Sequence, residues 1–461
     1  MKRRIIKNRM VPFAAALCAV CFSFTATTYA QVEMHPKVVG ASIDFGEIVK
    51  GQSEGATVRK ETLSRTGVYL TTSGTYNKNL DIYVTIGGLF WYPLQPGEHS
   101  KERLLEFGPG VGQAEGIYSF GNPEKPDATL KFGLFSTKYT DATNLGEYLY
   151  RSGTYPGFLV TGGWSYINSA SYLAQGAEFT LPTFNGKLTH DFTLFMERDY
   201  EPTSDFSPGY VITYKPTSYL EVGGGIVWSH AISLNPDRLA PKDTLNNGYS
   251  KITNLPILNA EDSVTKFTPR DHPDQVGFYT FRGFKTMARA SFDIGTLLGT
   301  GMIHSGDFKL YAEMAILGIK NQPYYYDKIM DRMPMMVGIN LPTFGLLTRL
   351  SVEGEYHKSR FPNTVGMPFY AALPLPLNLN TNPYDYTDSA ATANKKSLTN
   401  DDFHWSIYAT RKITTGIALS AQAASDHQRQ PTGPEVKPTS QPVTLKVKDW
   451  YFVVRLDFGL F

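Results

Sequence analysis

The chain closes with Asp449-Trp450-Tyr451-Phe452-Val453-Val454-Arg455-Leu456-Asp457-Phe458-Gly459-Leu460-Phe461. Taken alternately, Trp450, Phe452, Val454, Leu456, Phe458 and Leu460 form one unbroken apolar row. Asp449, Tyr451, Arg455, Asp457 and Gly459 fall in the other row, together with Val453. A period of two marks a strand with two unlike faces. The run is longer than the usual globular strand of about 5–6 residues. It matches the roughly 9–11 tilted residues that cross a bilayer.

Similar segments fill the chain upstream. Sixteen are read from alternation: 37–49, 62–74, 79–92, 111–121, 127–138, 172–182, 186–199, 208–216, 218–230, 276–293, 306–318, 333–342, 344–358, 402–411, 414–427 and 444–460. Their connections alternate in length. Thr75–Lys78, Asn122–Pro126, Thr183–Asn185, Pro216–Thr217, Ile294–Ser305, Thr343 and Lys412–Ile413 are the short class. The others are usually longer, with only 200–207 close to the short class, and 139–171, 231–275 and 359–401 each exceed thirty residues. Hairpins need only a few residues at a tight turn. Sorting by length therefore puts tight turns at one end of a sheet and long loops at the other. Bilayer hydrocarbon leaves no backbone amide unbonded, so such a sheet must close on itself.

The faces follow from the same alternation. Leu80, Ile82, Val84 and Ile86 oppose Asp81, Tyr83 and Thr85. Leu130, Phe132 and Leu134 oppose Lys131, and Leu220, Val222 and Ile226 oppose Glu221. Leu310, Ala312 and Met314 oppose Lys309 and Glu313, while Leu350 and Val352 oppose Arg349, Glu353 and Glu355. A charge facing lipid at mid-depth costs about 2–4 kcal/mol for Lys or Arg, so the charged rows face inward. Two tight turns share the tetrapeptide Leu-Pro-Thr-Phe, at Leu181–Phe184 and Leu341–Phe344. Proline pre-sets a turn, so this reads as a shared turn solution.

At the other end, Met1–Ala30 reads as a secretory signal peptide. Lys2, Arg3, Arg4, Lys7 and Arg9 start it, Met10–Phe24 is its apolar stretch, and Thr28-Tyr29-Ala30 is a cleavage context. Residues 31–461 then form a single barrel domain. The only cysteines, Cys18 and Cys21, lie in the leader, so the mature chain has no disulfide and no thiolate chemistry. Removing the five leader charges leaves 39 Lys plus Arg against 42 Asp plus Glu. That near-balance is no footprint for nucleic acid.

A closing amphipathic strand that stops on Phe, sorted connections and an export leader together resemble Gram-negative outer-membrane β-barrel proteins of the porin-like kind. The resemblance is one of architecture and spans the whole chain. It implies an all-β fold: a transmembrane antiparallel up-and-down β-barrel of about sixteen strands, with short periplasmic turns and long extracellular loops. It implies the cell outer membrane as location, contact with outer-membrane lipid and lipopolysaccharide, passage through the barrel-assembly machinery, and room for a homo-oligomer. One feature departs from the family pattern. The terminal Phe usually shares the lipid-facing row, whereas Phe461 has the parity of Arg455 and Asp457. That parity calls for a bulge near the end or a different reading of the terminus.

The sequence offers no catalytic set. None of the nine histidines pairs with another at metal-ligand spacing on one element. Asp271-His272-Pro273-Asp274 reads as a solvated turn, and Gly108-Pro109-Gly110-Val111-Gly112 lacks the Lys-Ser/Thr of a phosphate loop. The expectation is no enzyme activity, no cofactor and no metal. The inward charges carry the functional reading. Lys131, Glu178, Glu197, Glu221, Lys285, Arg289, Lys309, Glu313, Arg349, Glu353 and Glu355 are the expected channel lining. They form an acidic and a basic arc that set solute preference through their field. Mutual salt bridging that fills a wide barrel is the competing account.

The expected function is passive diffusion of small hydrophilic solutes. The alternative is a surface-binding or adhesion barrel whose long loops contact glycans or another external partner. Those loops carry Tyr148, Tyr150, Tyr155, Trp164, Tyr166, Tyr370, Tyr384 and Tyr386.

Overall fold

A computed structural model describes residues 35–52, 63–76, 78–93, 106–143, 145–150, 174–196, 205–232, 245–246, 249–250, 266–267, 277–278, 283–299, 302–319, 329–356, 403–425 and 450–459. Among these residues sixteen strands form one closed antiparallel barrel in sequence order. The first nine are β1 (His35–Gln52), β2 (Leu63–Tyr76), β3 (Leu80–Pro93), β4 (Glu106–Asn122), β5 (Lys125–Phe135), β6 (Ala174–Thr183), β7 (Leu188–Met196), β8 (Phe206–Tyr214) and β9 (Leu220–Ser229). The rest are β10 (Gly283–Asp293), β11 (Lys309–Leu317), β12 (Met335–Asn340), β13 (Arg349–Tyr356), β14 (Phe403–Thr414), β15 (Ile417–Ser425) and β16 (Trp450–Gly459).

Closure is made by the stretch that opened the sequence reading. β16 pairs with β15 from Ile417↔Phe458 to Ser425↔Trp450, and with β1 from Ser42↔Gly459 to Gln52↔Trp450. Both edges of the sheet are thereby used up, which is what a barrel achieves. The register of β1 shifts between Phe45 and Ile48. Among the described residues the irregularity at this seam therefore sits on β1 and not on the closing strand. Phe461, Glu197 and the leader lie outside the described residues, as do 151–173 and 357–402 with their aromatics.

Each of the sixteen alternating segments corresponds to a barrel strand, with shorter bounds at several ends. The segment expected over 276–293 starts its barrel strand at Gly283, and Gly277–Phe278 pairs with Lys266–Phe267 in a separate ladder. The segment expected from 344 starts at Arg349, because 341–348 turns the chain. The connection after β10 holds a one-turn helix, α1 (Ile294–Leu298). The Asp293 carboxylate caps it by accepting from the Thr296 amide, and Gly299 ends it in the left-handed region.

The two Leu-Pro-Thr-Phe turns share a left-handed Phe and a closing hydrogen bond. Phe184 and Phe344 sit at φ 50° and 51°, and the Gly186 and Leu346 amides bond back to the Thr183 and Thr343 carbonyls at 3.0 Å each. The Thr343 hydroxyl reaches the Leu347 carbonyl at 2.7 Å. A left-handed Phe is strained, since its Cβ crowds the following carbonyl.

Hydrophobic residues of the outer row stay open: Ile86 is 50 % and Val337 61 % exposed. The buried apolar residues lie inside the barrel, as one cluster that includes Phe135, Leu145, Tyr148, Leu149, Phe195, Val211, Met287, Tyr311, Leu317 and Met336. Three of these belong to no strand, and they lead to the site.

Candidate functional site: a segment folded into the barrel

After β5 the chain turns inward. Segment 136–150, described at 136–143 and 145–150, lies against the inner faces of β6 to β13, held by carboxylates that period-two reading had put on the inner row. Glu313 accepts from the Tyr139 hydroxyl at 2.7 Å, the Glu147 amide at 2.7 Å and the Tyr148 amide at 2.9 Å. Glu353 accepts from the Thr143 hydroxyl at 2.7 Å, the Leu145 amide at 2.9 Å and the Tyr311 hydroxyl at 2.7 Å. Glu355, fully buried, accepts from the Gly146 amide at 3.3 Å. A carboxylate is acceptor-only, and loop amides supply the donors that let it stay charged when buried.

The segment reaches down to the short-turn end of the wall. Asp141 meets Lys309 at 2.5 Å, and Arg349 donates to the Asp141 carbonyl at 2.7 Å. Burial pushes the Asp141 carboxyl up, but the hydrogen bond and charge of Lys309, aided by Arg349, hold it below the usual range. Burial pushes the Lys138 ammonium down, and its Nζ donates to the Ala142 carbonyl. Within the segment, Glu147 accepts from the amide and hydroxyl of Thr140 at 2.9 and 2.7 Å.

Packing completes the attachment. Leu145, Tyr148 and Leu149 are fully buried. Glycines on the wall make room for this. A Cβ on Gly225 would stand 2.6 Å from Leu149 Cδ1, and one on Gly338 would stand 2.1 Å from the Tyr311 ring. Gly146, at φ +78°, faces Met336 and the Glu313 carboxylate.

Beside the docked segment the inner wall stays open as a polar cavity of about 220 Å³. Thr137, Lys138, Tyr139 and Tyr150 form its segment side; Glu178, Thr189, Asp191, Thr193, Thr213, Lys215, Glu221 and Arg289 line the wall. Here charges are paired by side chains. Arg289 binds the Glu221 carboxylate through Nη1 and the Thr213 hydroxyl through Nη2 at 2.7 Å. Lys215 meets Glu221 at 3.0 Å, with its side chain 57 % exposed. Lys131 faces Glu178 at 3.9 Å across β5 and β6, and the Thr137 hydroxyl donates to Glu178 at 2.8 Å.

The expected lining residues therefore divide. Glu178, Glu221 and Arg289 line the open cavity, and Lys131 stands beside Glu178. Lys309, Glu313, Arg349, Glu353 and Glu355 are engaged by the inserted segment, and Lys285 is buried at 1 % exposure. Of the acids expected in the inward arcs, three accept from amides of the segment, and two others pair with bases on neighbouring elements. Sequence reading passed over Asp191, Thr193, Thr213 and Lys215. The first two share the parity of Glu197, so the row itself could have supplied them. Among the described residues no three His, Cys, Asp or Glu are grouped to hold a metal ion.

Solved porins align over most of this chain, each at a TM-score below 0.5. No family model matches the sequence, and no curated protein matches it. The solved structure titled Salmonella typhi OmpF complex with daunomycin aligns at a TM-score of 0.44 and 10 % identity, covering 92 % of this chain and 97 % of that one. A Rhodopseudomonas blastica porin variant aligns at 0.43 and 7 % identity, covering 92 % of this chain and all of that one. A structure titled "Asymmetric conductivity of engineered proteins" aligns at 0.43 and 7 %, covering 93 % and 100 %.

Proposed function

We propose that the chain is an outer-membrane channel for passive diffusion of small hydrophilic solutes, narrowed by segment 136–150. The observation that carries this reading is the docking of that segment inside a closed barrel, beside a polar cavity. A barrel built only to present loops outside has no use for a segment anchored by buried carboxylates to its inner wall. An apolar outer row and a charged inner row fit a wall between lipid and water.

In this reading Lys131, Glu178, Glu221 and Arg289 line the solute path. Lys309, Glu313, Arg349, Glu353 and Glu355 fix the size of the opening by holding the segment. The paired charges leave a strong local field and little net charge, so selectivity is weak and declines as salt screens the wall.

The test is conductance of the purified protein in a planar bilayer. Stepwise, long-lived openings with near-ohmic current are expected. A protein that inserts but passes no current would sink the channel and leave the surface-binding account in its place.

A further inference from the structure

We infer that Asp191 is the seat of a binding site for the ammonium group of a small organic amine, inside the polar cavity. This rests on the channel reading and deepens it, since it names a class of solute that the lumen retains.

Three acids line the cavity, and two are answered by bases. Glu221 has Arg289 and Lys215, and Glu178 has Lys131 with the Thr137 hydroxyl. Asp191 accepts only from the Thr180 hydroxyl, at 2.6 Å, and among the described residues no base stands within ion-pair distance of it; Arg289 and Lys131 act on it only through their charge at longer range. Lys138, the remaining lining base, turns its Nζ to the Ala142 carbonyl of its own segment. A partly buried carboxylate held by one hydroxyl is an acceptor with capacity left over, and taking it from water favours any cation that can reach it.

The surroundings select the kind of cation. Thr189 and Thr193 sit two residues to either side of Asp191 on the same face of β7, and Thr213 faces the same space from β8. The Thr189 hydroxyl can accept from a remaining proton of an ammonium, and Thr193 and Thr213, already bonded to the Tyr150 hydroxyl at 3.0 Å and to Arg289 at 2.7 Å, each keep a second lone pair toward the same space. Tyr139 and Tyr150, packed edge to face at 5.4 Å, close the cavity from the segment side. Aromatic rings beside a carboxylate attract a soft, weakly hydrated cation.

A divalent metal would want more carboxylate or imidazole ligands than are grouped here. The cavity, about 220 Å³, holds the volume of roughly seven waters, so the site suits a solute of several heavy atoms over a bare ion. Lys215, on the short-turn side of the lining, is exposed, so the cavity meets solvent there.

The probe is n-butylammonium, with butyrate as the anionic control. In planar bilayers, n-butylammonium added from the short-turn side should interrupt the current in a saturable way, and butyrate should not. Asp191→Asn should weaken that block at least tenfold, and Asp191→Glu should restore most of it. Equal block by butyrate, or undiminished block in Asp191→Asn, would overturn the site.

Calorimetric titration of the folded protein in detergent micelles reads the same site without a pore. Saturable binding of n-butylammonium, lost in Asp191→Asn, supports the site even if no current flows, in which case only the channel reading fails. Current without binding sinks the site and leaves the channel. Heat-dependent gel mobility confirms that each variant is folded before it is scored.

Discussion

Six carboxylates on the inner wall look alike along the chain and meet opposite fates. Glu313, Glu353 and Glu355 disappear beneath segment 136–150 and are satisfied by its amides and hydroxyls. Glu178, Asp191 and Glu221 face the cavity, and two of them are satisfied by side-chain bases. The difference teaches that an inward carboxylate can be structure or surface, and that the donor type tells which. Backbone amides cannot leave with the solvent, so acids paired to them are fixtures. Side-chain bases can rotate, so acids paired to them can still respond to a solute.

Removing a fixture should have the largest effect. Glu353→Ala takes away the acceptor of Thr143, Leu145 and Tyr311 at once. Charged hydrogen bonds contribute about 1.5–3 kcal/mol each, so segment docking should weaken by about 3 kcal/mol or more. Single-channel conductance should rise and the segment should become open to proteolysis. Conductance unchanged would mean the segment stays docked without its anchor. The matching change on the other group, Lys131→Met, should cost under about 1 kcal/mol, since the pair is long and partly exposed.

Packing is the next largest handle on the comparison. Gly225→Val puts a side chain where Leu149 sits. Overpacking of this kind costs about 1–3 kcal/mol. It should loosen the segment without touching any acid, and so shows whether carboxylates alone suffice. Thermal unfolding with conductance recorded in parallel reads both terms.

The smallest expected effect is on pH. The Asp141 carboxyl is held below its ordinary value by Lys309 and Arg349. Its contribution to docking is fully present above the unfolded carboxylate range of about 3.9. It is lost as pH falls through the depressed value. Conductance should rise modestly in strong acid, and Asp141→Asn should abolish that part of the rise.

The barrel was legible in the chain because its rule is local. Alternation with period two assigns a face to Lys131, Glu221 or Glu353 from immediate neighbours alone, and a slip of one residue would invert the whole strand. Connection length gave the two ends for the same reason. The turn at Phe344 was legible as a turn, though its left-handed φ, shared with Phe184, was not. A sequence rule would have placed Gly or Asn there.

What the sequence by itself determined is therefore which residues face in, which face out, and where the chain reverses. What only the tertiary structure decided is what each inward residue meets. Leu145 reaches Glu353 across 208 positions, Glu147 reaches Glu313 across 166, and Arg289 reaches Glu221 across 68. No periodicity encodes such partners. They are fixed by closure, which sets which wall lies opposite β5, and by Gly225 and Gly146, whose missing side chains let wall and segment approach.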